Sequence, residues 1–169
     1  MNISNINNAS QANLKAQFLQ CCTSKTWAVR MLGSRPYANS DRLFAVANSH
    51  WKNLSEEDYL QAFDGHPKIG DVSSLREKYA NTKKLAAGEQ SEVDKASDKV
   101  LEQLAHYNDL YQKKFGFIFI VCATGKSATE MLELLLERIN NDRELELINA
   151  AEEQRKIFQI RLKKLVESH

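Results

Sequence analysis

Proline is scarce in this 169-residue chain: only Pro36 and Pro67 occur. Glycine appears six times and cysteine three times. Few prolines mean few forced breaks, so helices can run long. An odd cysteine count, with Cys21 and Cys22 adjacent and Cys122 far away, argues against a disulfide framework and fits a reducing cytosol. No Cys/His spacing suits zinc. Cys122 lies in an apolar run and reads as a small hydrophobe rather than a nucleophile. Charge of one sign is missing too. Lys and Arg number 23 against 22 Asp and Glu, a formal net charge of +1. That balance argues against a nucleic-acid partner. The longest apolar run, Phe117 to Ala123, is far shorter than a membrane span. The N-terminus, Met1 to Gln11, is Asn/Ser-rich and lacks the apolar core of a secretory signal. Residues 1–10 read as a flexible arm or an early cap.

What is present is ordinary for a globular protein: 43% hydrophobic and 27% charged residues. The pattern is helical nearly throughout. Gln11 to Cys22 predicts a first helix. Lys25 to Leu32 predicts a second, ended by Gly33 and followed by Pro36. Asn39 or Ser40 caps a third, from Asp41 to Trp51. Ser55-Glu56-Glu57-Asp58 resembles a capping box with a shorter acid and opens a helix to Phe63. A short helical stretch follows from Ser74 to Leu85, broken at Gly88. Glu92 to Phe115 is long, with Val93, Ala96, Val100, Leu104, Tyr107 and Tyr111 at helical spacing. Gly116 stops it. Phe117 to Ala123 is the one β-like run and suits a buried extended segment equally well. Ser127-Ala128-Thr129-Glu130 opens a helix to Asn140, and Asp142 begins a last helix to Val166. The simplest assembly is all-α: one multi-helix bundle domain over residues 11–169.

Three places carry possible chemistry. The stretch Asp64-Gly65-His66-Pro67-Lys68-Ile69-Gly70-Asp71 holds a histidine in a turn-rich segment between helices. Pro67 pushes His66 out of the α region, and the flanking glycines permit close approach. A histidine held this way suits acid or base work near neutral pH. In the last helix Ile157, Phe158, Leu162 and Leu165 share one arc, and Arg161 falls inside it. A guanidinium there either snorkels, pairs with a buried carboxylate, or anchors a planar polar ligand. Gly88-Glu89-Gln90-Ser91 precedes the long helix, where Ser91 with Asp94 reads as a cap. His50, His106 and His169 sit in no motif. Gly125-Lys126-Ser127 looks like the end of a phosphate loop, but the required earlier glycine is Ile120.

Taken in order, these segments resemble the 2-oxo-4-hydroxy-4-carboxy-5-ureidoimidazoline (OHCU) decarboxylases of urate catabolism. The likeness runs from Arg35-Pro36-Tyr37 through Gly65-His66-Pro67-Lys68-Ile69-Gly70, Glu89-Gln90, Tyr107-Asn108 and Phe115-Gly116-Phe117. The Ser127 helix and Arg161-Leu162 complete it. The resemblance implies an all-α homodimer that uses no cofactor and forms (S)-allantoin from a small-molecule ureidoimidazoline carboxylate; the cysteine usage adds a cytoplasmic location. It implies His66 and Glu89 as catalytic residues. It implies a substrate site made by Pro67, Ala86, Ala87, Gly88, Glu89, Gln90 and Arg161, with the backbone of Phe119, Ile120, Val121, Cys122 and Ala123. Three positions depart from the pattern. Ala86 stands where serine is frequent, Ile118 where proline is common, and Lys68 where arginine is frequent. Two other readings stay open: a non-catalytic binding protein of the same fold, and a decarboxylase for a related ureido acid.

Overall fold

A computed structural model describes residues 1–67, Leu75 and residues 90–167, with only the backbone described for 90–97. Eight helices with defined bounds lie among the described residues: α1 (Ile3–Asn8), α2 (Gln11–Cys21), α3 (Lys25–Gly33), α4 (Ser40–Lys52), α5 (Glu56–Asp64), α6 (Gln90–Phe115), α7 (Ala128–Arg138) and α8 (Arg143–Glu167). No strand occurs among them, so the all-α expectation holds. The predicted stretch Ser74 to Leu85 lies outside the described residues except for Leu75, which is helical and buried.

The helices start where short polar side chains accept backbone N–H groups. Asn2, Ser10, Ser24, Asn39, Ser55 and Ser127 each do so. At Ser55 the reciprocal bond from Asp58 is also present, completing the expected capping box. The helix opened by Ser127 ends at Arg138, two residues before the predicted Asn140. The long helix α6 begins at Gln90, so Ser91 lies inside it rather than capping it.

The chain divides into two compact units, Met1–His66 with Asn149–His169, and Pro67–Ile148. In the first, α1 to α5 and the later part of α8 enclose Trp27, Phe18, Met31, Leu43 and Phe158, all fully buried. Trp27 packs against Phe158 at 5.0 Å and edge-on to Phe18 at 5.9 Å. Both indole N–H groups are satisfied: Trp27 donates to Ala47 O and Trp51 to Ala151 O. The first ten residues, read as an arm or an early cap, hold a helix. Ile6 on α1 is fully buried, and Arg35 donates to the carbonyl of Ala9 at 2.7 Å. Asn7 exchanges two hydrogen bonds with the backbone of Tyr37, at 2.7 and 2.9 Å.

In the second unit α6 packs on α7. The buried stripe of α6 is Leu101, Leu104, Asn108, Tyr111 and Phe115. Asn108 is tolerated there because its amide donates to Leu104 O. After Gly116, whose φ of +83° suits glycine, residues 118–123 run without helix or ladder. Of the two readings of that run, the strand does not form among the described residues. Phe117, Phe119, Ile120 and Cys122 are buried along it.

Candidate active site

His66 follows directly from the end of α5. Its backbone N–H returns to Phe63 O at 3.1 Å, closing a turn. Thr23, between α2 and α3, donates its hydroxyl toward the carbonyls of Gln61 and Ala62, at 3.0 and 3.2 Å. Gln61 Oε1 in turn accepts from Lys25 N, and Asp58 accepts from the Thr26 hydroxyl. The α2–α3 connection thus fastens the turn that presents His66. Gly65 is required by this contact and not by its φ, which is an ordinary −72°. A Cβ added there would lie 2.0 Å from Thr23 Oγ1. The close approach expected at this glycine is made by the chain's own threonine.

The imidazole of His66 is half-buried, and its Nε2 is hydrogen-bonded to Oε1 of Gln154 on α8. Gln154 is fully buried, and among the described residues its Nε2 has no hydrogen-bond partner. Sequence reading passed over this residue. The signal was available: Gln154 stands four residues before buried Phe158 and four after buried Ala150, a polar side chain on an apolar stripe.

Arg161 lies seven residues beyond Gln154, close to the same face of α8 and roughly 10 Å further along its axis. It is exposed, not sequestered in the apolar arc. Its guanidinium donates to the carbonyls of Cys21 at 3.2 Å and Gln20 at 3.5 Å, where α2 ends. A cation at a helix C-terminus is electrostatically favoured, and the long stem lets the head leave the arc. The partner is therefore a helix end rather than a buried carboxylate. Arg161 also lines an open cleft of about 430 Å³ with Gln17, Gln20, Cys21, Lys164 and Leu165.

Cys21 and Cys22 do not supply a nucleophile here. Burial pushes the Cys21 thiol up to about 11, against a smaller lowering by Arg161. It pushes Cys22 up to about 12. Neither is a thiolate at neutral pH. Cys21, Cys22 and Cys122 are all buried.

In the second unit, the segment Phe119 to Ala123 is held by cations. Arg138 sits 4.6 Å from the Phe119 ring centroid and donates to Ile120 O at 2.6 Å. Its charge is paired with fully buried Glu146 at 2.8 Å, which also accepts from the Tyr111 hydroxyl and from Asn141. Burial, then Glu146, push the Tyr111 hydroxyl well above its usual range, so it remains a donor. Lys126 donates to Cys122 O at 2.8 Å, which gives the Gly-Lys-Ser lysine a structural partner. Pro67 is exposed. Ala86, Ala87, Gly88 and Glu89 lie outside the described residues, as does the side chain of Gln90, which opens α6. Among the described residues no cluster of His, Cys, Asp or Glu is arranged to hold a metal.

The sequence pattern of the OHCU decarboxylases matches residues 7–163. The chain belongs to that family. OHCU decarboxylase relatives and structures place it further. It is 36% identical over 145 residues to the uric acid degradation bifunctional protein TTL of Arabidopsis thaliana, covering 86% of this chain and 45% of that one. It thus spans under half the length of that bifunctional relative. A 2-oxo-4-hydroxy-4-carboxy-5-ureidoimidazoline decarboxylase of Haloferax volcanii is 24% identical, covering 80% of this chain and 77% of that one. A crystal structure of OHCU decarboxylase in the presence of (S)-allantoin superposes with a TM-score of 0.73 at 35% identity, covering 90% of this chain and 98% of the other. A crystal structure of (S)-allantoin synthase shares the fold at 18% identity, with a TM-score of 0.69. It covers 99% of this chain and 55% of that one.

Proposed function

We propose that this chain decarboxylates OHCU to (S)-allantoin without a cofactor, with His66 and Glu89 as its catalytic residues. The observation that carries this reading is His66 itself. In a chain of this family, the histidine of the Gly-His-Pro segment is held on a buttressed turn, with its Nε2 hydrogen-bonded to Gln154. The likeness to an OHCU decarboxylase whose crystal structure was determined in the presence of (S)-allantoin supports the activity.

The chemistry needs little beyond placed proton donors and acceptors. The substrate carries a carboxylate and a hydroxyl on one ring carbon, beside a carbon–nitrogen double bond. When the bond to CO2 breaks, its electron pair moves into that neighbouring double bond, whose nitrogen takes a proton. The hydroxyl proton then leaves as the ring carbonyl forms, and the adjacent carbon is protonated on one face. One CO2 departs and the carboxylate form takes up one proton overall. Positioned acid–base groups contribute about 10²–10⁴-fold to such steps. In this reading His66 handles the hydroxyl or carbon proton, and Glu89 orients the imidazole or holds the ureido N–H groups. Gln90 offers both a donor and an acceptor. Arg161 orients ring or ureido oxygens, because gripping the departing carboxylate would stabilise the ground state. Pro67, Ala86, Ala87, Gly88 and the backbone of Phe119 to Ala123 line the substrate.

The module occupies nearly the whole chain, works as a homodimer and resides in the cytoplasm. Its odd cysteine count, without a framework spacing, supports a reducing compartment. No helix among the described residues is long and apolar enough to cross a membrane.

Purified protein added to freshly generated OHCU should accelerate (S)-allantoin formation, followed by circular dichroism of the product. His66→Gln should reduce that rate to the spontaneous one while the protein stays folded. An unchanged rate in the variant would remove His66 from the chemistry. No acceleration by the unaltered protein would leave a non-catalytic binding protein, and acceleration only with another ureido acid would redirect the substrate.

A further inference from the structure

We infer that Gln154 is a positioning residue that sets the tautomer and orientation of His66; the inference rests on the reading of His66 as the acid–base residue. The argument starts from donor and acceptor types. A carbonyl oxygen such as Gln154 Oε1 can only accept, so the His66 Nε2 it meets must carry the proton. The neutral imidazole is thereby held as the Nε2–H tautomer, and Nδ1 is the nitrogen whose protonation changes. The same bond fixes the ring plane relative to α8.

The contact is asymmetric in a way that a purely structural glutamine would avoid. Gln154 is fully buried, yet among the described residues only its acceptor end is used, and Nε2 goes without a partner. Leaving a buried donor unsatisfied lowers stability, and an apolar side chain of the same length would not incur that loss. Its neighbours on the stripe, Ala150 and Phe158, are apolar and buried, so packing alone would favour Leu or Met at 154. What Leu and Met lack is the acceptor that His66 meets. Misorienting a reacting group by about 1 Å costs about 100-fold in rate.

Two variants and one spectroscopic signature test this. Gln154→Met keeps length and apolar packing but loses the acceptor. It should retain or raise the thermal midpoint while kcat for (S)-allantoin formation falls by about 100-fold, with KM nearly unchanged. Gln154→Glu restores an acceptor and should recover a large part of kcat relative to Gln154→Met. Nitrogen-15 NMR of the histidine-labelled protein, at a pH where His66 is neutral, should show the Nε2–H tautomer in the unaltered protein. A tautomer mixture should appear in Gln154→Met. An Nδ1–H tautomer in the unaltered protein would overturn the inference, as would full kcat in Gln154→Met. Full activity in His66→Gln would instead refute the acid–base reading of His66, and the tautomer measurement would still decide whether Gln154 sets the ring.

Discussion

Gly65 illustrates how a single absent carbon positions a functional residue. A Cβ there would meet Thr23 Oγ1 at 2.0 Å and Thr23 Cβ at 2.7 Å. Thr23 cannot rotate away freely, since its hydroxyl caps the end of α5. Overpacking of this kind costs about 1–3 kcal/mol. Gly65→Ala should therefore lower the unfolding free energy by that amount in urea titrations and slow (S)-allantoin formation by displacing His66. Equal stability in urea titrations would show that the turn yields more easily than its contacts imply. The glycine was legible in the sequence, but its reason was not, because Thr23 lies 42 residues earlier in the numbering. Arg161 presents the reverse case. Its anomaly on an apolar arc was visible from spacing, and the structure explains it by a helix end that spacing does not reveal.

At the scale of elements, local chemistry decided the helices and packing decided the segment between them. Ser55 and Asp58 form their box because the two side chains and two orphan N–H groups are three residues apart, a relation written in the chain. Ser55→Ala should lower stability by about 1 kcal/mol, as measured by chemical denaturation, which is the usual worth of a helix cap. Phe117 to Ala123 is different. Its β-like residues have no ladder among the described residues, and Arg138 and Lys126 take carbonyls of Ile120 and Cys122 instead. Arg138 is affordable in that setting only because Glu146, itself fully buried, pairs with it. Removing one partner of a buried pair leaves an uncompensated charge at a cost of about 3–5 kcal/mol. Glu146→Ala should show that loss in thermal or urea unfolding. Arg138→Met with Glu146→Leu should be much milder than the sum of the single changes, and strict additivity would disprove the coupling.

At the scale of the whole molecule, burial overruled composition at the N-terminus. Asn- and Ser-rich residues suggested an arm or an early cap. The cap reading is the one that holds: Asn2 and Ser10 cap helices, and Ile6 enters the core beside them. Ile6→Ala should cost about 2–5 kcal/mol. A thermal midpoint equal to that of the unaltered protein would return residues 1–10 to the status of a tether. The helix α8 carries its own lesson, since Gln154 and Phe158 are fully buried and Arg161 is exposed while all three share nearly one face. By itself, the sequence determined the helical class, most helix starts, and the identity of His66 and Arg161 as the residues to examine. Those follow from periodicity, capping and side-chain chemistry, which act over a few residues. Only the tertiary structure decided that Gln154 meets His66, that Thr23 packs on Gly65, and that Arg161 ends α2. Each joins positions far apart in the chain, and such contacts depend on how faces pack, which no local pattern encodes.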